Sequence, residues 1–188
     1  MHEDTRTPDS QAVRLSIIDA LATLIAEGEP QPSLGDVAQH AGVSKGAIQH
    51  HFTDRRGLMV ALASAMIDEF DSVLREAEAR DPLPAGRTAR AYASAAEQMS
   101  SGSKALCIAL LRAADMEVAV REQWREWLAA EREHDGAKGS DPVGEIICRL
   151  AIDGLWLTDL LGLYELSTRE RRAVFERLRA MTLKDRAA

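Results

Sequence analysis

The chain has 188 residues, of which 46% are hydrophobic and only 4% aromatic, enough apolar material for one large or two small domains with an aliphatic core. A formal net charge of −7 argues against general affinity for nucleic acid, and the lack of any run of about 18 apolar residues argues against a membrane span. The opening MHEDTRTPDS is polar and acidic, without the basic-then-apolar order of a secretory signal, so a cytoplasmic protein is expected.

Residues 1–10 read as disordered. A first helix is expected over residues 11–27, with Ile17, Ile18, Leu21, Leu24 and Ile25 as its inner stripe. Gly28 and the segment Pro30-Gln-Pro32 end it. Residues 33–52, SLGDVAQHAGVSKGAIQHHF, then read as two short helices joined by a tight turn. Ser33 is placed to cap the first of them, and Asp36 puts a carboxylate in its first turn, where it complements the helix dipole. Leu34, Val37, Ala38 and Ala41 repeat on one helical face, and Gly42 stands where a left-handed residue would end it. Ser44 is a second N-cap, with Ile48 and Phe52 four apart on the inner face of the second helix. Lys45, Gly46, Ala47, Gln49, His50 and His51 are left around the outer faces. Small residues there allow close approach to a groove, while Lys, Gln and His donate to phosphates or base edges.

Thr53 is the expected cap of a fourth helix over residues 54–80. It carries Leu58, Leu62, Ala65 and Met66 in its first half and Phe70, Val73 and Leu74 in its second, so one continuous helix would connect a small domain to a larger one. Asp81-Pro-Leu-Pro breaks the chain. Further helices are expected over residues 85–99, 104–115, 118–133 and 142–162, the last opened by Asp141 as N-cap with proline in the first turn. Ser167 or Thr168 opens a ninth, striped by Val174, Phe175, Leu178 and Met181. No strand signal or repeat interrupts this, and the expected class is all-α with about nine helices.

IIDALATLIAEG (residues 17–28), LGDVAQHAGVSKGAIQHHF and TDRRGLMVALASAM together resemble the helix-turn-helix of the tetracycline-repressor (TetR) family, over roughly residues 11–66. AIDGLWLTDLLGL (residues 151–163) looks like the penultimate helix of some members. The resemblance implies a DNA-binding domain at residues 1–52 and a helical ligand-binding and dimerisation domain at residues 53–188. It implies a transcriptional repressor that leaves a palindromic double-stranded DNA operator when a small hydrophobic ligand binds. Ser33, Ser44, Lys45, Gly46, Ala47, Gln49, His50, His51, Thr53 and Arg55 are the expected DNA-binding residues. Two positions depart from the family pattern. Gln49 stands where tyrosine is usual, and both adenine reading and plain exposure fit it. Gly35 removes the long polar side chain that many members carry on the preceding helix. The charge balance gives no help, since residues 1–65 hold five basic and eight acidic side chains. Local charge is kinder: residues 39–53 contain no acid, and Lys45, Arg55 and Arg56 bracket the second short helix.

Met66, Phe70, Met99, Cys107, Trp127, Asp153 and Trp156 are the candidates for lining a ligand cavity, with Trp124 and Tyr164 beside them; ordinary core packing is the competing reading. Asp153 and Asp159 interrupt an otherwise apolar helix, where a ligand cation, an arginine of a second chain and plain exposure all fit. A homodimer through the eighth and ninth expected helices follows from their apolar character at the chain's end. Cys107 and Cys148 are expected as buried free thiols. No metal is expected at His50 and His51, because neighbouring helical residues point about 100 degrees apart and no Cys or acidic partner lies at ligand spacing. With no nucleophile elbow and no phosphate loop, neither a cofactor nor catalysis is expected. Two other functions stay open, a ligand-independent activator on the same fold and a helical scaffold whose helix-turn-helix has lost DNA binding.

Overall fold

The structure is a computed structural model that describes residues 7–29, 31–98, 118–133 and 136–184. Eight helices occupy these residues: α1 Thr7–Ala26, α2 Leu34–His40, α3 Lys45–His51, α4 Arg55–Arg80, α5 Arg87–Gln98, α6 Val118–Arg132, α7 Pro142–Leu161 and α8 Thr168–Met181. Among the described residues the only extended pairing is an isolated antiparallel bridge, Ser140 to Leu183. The chain is all-α. The helix expected over residues 104–115 lies outside the described residues, so the eighth and ninth expected helices are α7 and α8.

Two starts differ from the sequence reading. α1 begins at Thr7, so residues 7–10 are helical; they are polar and carry no apolar period, which is why periodicity misses them. α4 is capped by Asp54 and not by Thr53: Asp54 Oδ1 accepts from the Gly57 N–H at 2.8 Å, and the Leu58 N–H donates to the Asp54 carbonyl. Thr53 stays exposed outside the helix.

The chain forms two compact units, divided within α4 between Met66 and Ile67. The first holds α1, α2, α3, the start of α4 and α6 as far as Gln123. Its core is aliphatic, with Ile17, Ile18 and Leu21 of α1, Val37 of α2, Ile48 of α3, and Leu58 and Leu62 of α4 all buried, and Phe52 closing it after α3. Gln123 of α6 donates to the Ser64 hydroxyl of α4 at 2.7 Å in this unit.

The second unit packs α5 against α7 and α8, with the later part of α4 and α6. Alanine explains α5. Ala89, Ala91, Ala93, Ala95 and Ala96 are all buried, so small side chains let this helix be enclosed on almost every face. α7 and α8 approach still more closely at Gly144, where a Cβ would overlap the Met181 carbonyl. The apolar stripe of α8 is buried inside the chain: Phe175 and Leu178 join Phe70, Leu74, Tyr92, Cys148 and Ile152 in one core, with Val174 and Met181 packed against it.

A buried guanidinium ties the ends of this unit. Arg90 makes five hydrogen bonds: Nε to Asp81 Oδ2 at 2.8 Å, Nη2 to Asp81 Oδ1 at 3.2 Å and to the Leu83 carbonyl at 2.8 Å, and Nη1 to the Ala85 carbonyl at 2.6 Å and to Thr182 Oγ1 at 3.0 Å. The five donors of an arginine are thereby all satisfied. The same corner needs glycine at 86, where φ is +67° and a Cβ would lie 2.7 Å from the Thr182 carbonyl oxygen.

Candidate nucleic-acid interface

α2 and α3 are held by their caps. The Ser33 hydroxyl accepts from the Asp36 N–H at 3.2 Å, and Asp36 Oδ2 accepts from the Ser33 N–H at 2.8 Å, closing a capping box. The Ser44 hydroxyl accepts from the Ala47 N–H at 3.1 Å. Between them Gly42 adopts φ +67°, the left-handed conformation that ends α2 and starts the turn. The Ser33 bonds hold the Asp36 carboxyl below its ordinary range.

Burial of Ile48 and Phe52 sets the rotation of α3. Lys45, Gly46, Gln49 and His50 are exposed, and Ala47 and His51 half-buried. The His50 and His51 rings meet edge to face with centroids 5.3 Å apart. Arg14 of α1 lies over the Phe52 ring at 5.4 Å, a cationic neighbour of α3 that the sequence reading passed over because it sits some forty residues upstream of its partner. Ser33, Ser44 and Thr53 are exposed and Arg55 is half-buried, so all ten expected DNA-binding residues belong to the first unit. Gly35 is exposed, and a Cβ there would make only ordinary contact with Ser33 Oγ at 3.4 Å. Packing therefore does not require glycine at 35.

The ligand candidates divide differently. Met66 is buried and belongs to the first unit. Met99 and Cys107 lie outside the described residues. Phe70, Trp127, Asp153 and Trp156 belong to the second unit, where Phe70 is the hub of a ring cluster. Its centroid is 5.3 Å from that of Tyr92, 5.6 Å from that of Trp127 and 5.9 Å from that of Trp156, each close to perpendicular. Trp124 meets Trp127 at 5.8 Å. Tyr164 is 66% exposed, two residues after the Gly162 cap that ends α7.

Asp153 turns its carboxylate inward, although its outer edge remains open to solvent. Oδ1 accepts from the Tyr92 hydroxyl at 2.6 Å, and the Arg149 guanidinium lies 5.2 Å from the Tyr92 ring centroid. Burial raises the Asp153 carboxyl above its ordinary range, against the opposing pull of the Tyr92 bond and the Arg149 charge. Asp159 pairs within its own chain, in a two-pronged bond with Arg171 of α8 that includes Nη1 to Oδ1 at 3.0 Å. This partner was not among the roles its sequence context suggested. Cys148 is a buried free thiol, pushed up to about 11 by burial.

A second polar cluster adjoins Trp127. Arg75 of α4 bonds Asp71 at 3.0 Å, Glu78 at 2.6 Å and Glu131 of α6, while Trp127 Nε1 donates to Asp71 at 3.2 Å. Burial raises the Glu131 carboxyl despite the Arg75 charge. On Asp71 burial acts in the same direction but loses to the Arg75 and Trp127 hydrogen bonds, which leave it lowered. The spacing of Asp71, Arg75 and Glu78 on α4 is legible as a same-face set; Glu131 and Tyr92 carried no local signal, because only packing brings them to their partners.

Comparison with known proteins bears on both units. Residues 17–62 match the family described as bacterial regulatory proteins, tetR family, and residues 86–183 match the tetracyclin repressor-like C-terminal domain. Two HTH-type transcriptional regulators of Pseudomonas putida, ArpR and TtgR, are 33% and 32% identical over 76 residues. That segment is 40% of this chain and 36% of each relative's length. A transcriptional regulator of Streptomyces coelicolor A3(2) is 25% identical, with a TM-score of 0.70 over 90% of this chain and 98% of that one. A transcriptional regulator of Rhodococcus sp. Rha1 has a TM-score of 0.71 at 21% identity, over 90% of this chain and 95% of that one, a likeness of fold.

Proposed function

This chain belongs to the TetR family of transcriptional regulators, and we propose that it is a repressor which a small hydrophobic ligand releases from a palindromic operator. The observation that carries this reading is the capped pair α2–α3, with an apolar inner face and Lys45, Gly46, Gln49 and His50 exposed on the outside. That is the arrangement by which a second helix enters a major groove while flanking groups hold phosphates. Residues 1–52 serve as the DNA-binding part and residues 53–188 as the sensing and dimerising part of a cytoplasmic protein. Among the described residues no helix is long and apolar enough to cross a membrane. The family consists of regulators, not enzymes.

A homodimer suits a twofold operator, and α7 offers the surface. Val143, Ile146, Ile147, Leu150, Leu157 and Leu161 are exposed along it. A contiguous apolar stripe of this kind marks a partner surface. α8 contributes its polar side, since its apolar stripe faces the chain's own core. Phe70, Trp127, Asp153 and Trp156 are the ligand residues this reading favours, and α4 is the covalent link from them to the DNA-binding unit.

Binding of a duplex carrying the DNA upstream of the coding sequence, followed by fluorescence anisotropy, tests the DNA role. Lys45→Ala should weaken binding and lower the salt slope by about one. Unchanged affinity in the Lys45→Ala, Arg55→Ala double variant would count against this interface. One observation favours a second reading, a regulator without a sensor. Phe70 meets the three rings around it edge to face, and Tyr92 also lies against Trp127, so the rings fill one another's space as a plain core would. A thermal-shift screen in which no compound both raises the melting temperature and releases DNA would select it.

A further inference from the structure

We propose that the ligand sensed by the second unit is a hydrophobic amine, and that Glu131 anchors its ammonium group in the polar cluster beside Trp127. The inference rests on the reading of that unit as a sensor and names the chemical class it takes.

The first observation is a buried carboxylate that is only half satisfied. Glu131 is 4% exposed. Its Oε1 accepts from Arg75, whereas its Oε2 is buried and has no hydrogen-bond partner among the described residues. A buried acceptor left without a donor costs free energy, and the great majority of such atoms in proteins are satisfied. The second observation is the charge around it. Asp71, Glu78 and Glu131 all bond the guanidinium of Arg75. Three carboxylates around one guanidinium leave a surplus of negative charge. Burial works against the Glu131 charge, and the Asp71 and Glu78 carboxylates add to that effect. A cationic N–H donor at Oε2 answers both the open acceptor and the surplus charge.

The third observation is what the rest of such a ligand would meet. Trp124, Trp127, Leu128 and Glu131 are spaced three and four apart, so they share one face of α6. Trp127 belongs to both groups: its indole N–H donates to Asp71, and its ring centroid is 5.6 Å from that of Phe70. The face of an indole attracts an ammonium, and its area takes an apolar body. The cluster also has a way in. The side chains of Asp71 and Arg75 are 36% and 40% exposed, so the rim meets solvent while Glu131 forms the floor. A bare metal ion suits this set less well, because the Arg75 guanidinium bonds all three carboxylates and would repel it.

The test uses three probes with one skeleton and different headgroups, phenylbutylamine, phenylbutanol and phenylbutyrate. Binding is followed by titration calorimetry and by tryptophan fluorescence at about pH 7, where the amine is a cation and the acid an anion. The intact chain should bind the amine about ten-fold more tightly than the alcohol, and the carboxylate more weakly than either. Glu131→Gln keeps the shape and removes the charge. In it the preference for the amine should fall to near one while the alcohol binds as before, which shows that the apolar part of the site is intact. Should that variant fail to fold, Glu78→Gln gives a second measurement, in which the preference should fall about three-fold; an unchanged preference there overturns the inference. Equal binding of amine and alcohol by the intact chain, or tighter binding of the carboxylate, overturns this inference alone, with the sensor reading intact. A preference that survives in Glu131→Gln also overturns it, since the amine is then anchored elsewhere. Binding of none of the three overturns it too, and the sensor reading falls with it only when the wider thermal-shift screen is also empty.

Discussion

Arg90 shows what a single buried charge does here. Its five bonds join the α4–α5 connection to Thr182 after α8, so one side chain fixes segments 92 residues apart. A buried ion pair is weak evidence of net stabilisation, but breaking it leaves an uncompensated charge. Arg90→Met should therefore cost about 3–5 kcal/mol in urea unfolding. Asp81 gives that contribution a pH sign. Burial tends to raise its carboxyl, but the Arg90 bonds and charge and the Leu83 N–H overcome it and leave it lowered in the folded chain. The stabilisation is then present above the unfolded carboxyl's range, near pH 4, and is lost as pH falls through the folded value. Asp153 has the opposite sign. Its folded carboxyl is raised by burial, so its contribution is complete below the unfolded value and is lost as pH rises through the folded one. Asp153→Asn should flatten the fall in melting temperature above about pH 4, measured by calorimetry across mildly acidic buffers; a slope identical to that of the parent chain would refute this.

The contact between α7 and α8 is an element-scale device. Gly144 has no Cβ, and the Met181 carbonyl occupies the space one would need. The neighbour is backbone at the end of α8, so it has little freedom to yield. Gly144→Ala should destabilise by about 1–3 kcal/mol and should perturb the Asp159–Arg171 pair across the same two helices, visible as a lower denaturation midpoint. Gly154, on the same helix, provides the control: a Cβ there meets nothing within 4 Å. Gly154→Ala in a helix interior should stabilise slightly, by up to about 1 kcal/mol.

At the scale of the whole molecule, the question is how two chains meet. The exposed apolar side chains on α7 include Leu150, 66% exposed in the single chain. A stable interface built on that stripe should bury more than about 1,000 Å² in total. Leu150→Glu places a charge in its middle, which should convert a dimer into a monomer at micromolar concentration by analytical ultracentrifugation while circular dichroism is unchanged. It should also weaken binding to a twofold DNA site, because the two reading heads then bind independently. A parent chain that sediments as a monomer would remove the basis for both expectations.

Local chemistry was enough to recover the described helices and the capped pair α2–α3. Serine caps, glycine stops and 3.6-residue periodicity act within a few residues of chain, so Ser33, Gly42, Ser44 and Asp141 marked helix ends that the structure has. The inner face of α3 was equally legible, since Ile48 and Phe52 are spaced on one helix. Where the local signals were ambiguous, the outcome was decided elsewhere. Thr53 and Asp54 are adjacent and both suited to capping, and which of them caps depends on backbone geometry that neither residue encodes alone. The apolar stripe of α8 looked like a partner surface and is instead core, because α5 and α7 reach it first. Tyr92 with Asp153, Arg171 with Asp159, and Arg90 with Thr182 are separated by 61, 12 and 92 residues. Pairings of that kind carry no periodic signature, and arise only when packing has fixed which faces of the helices meet.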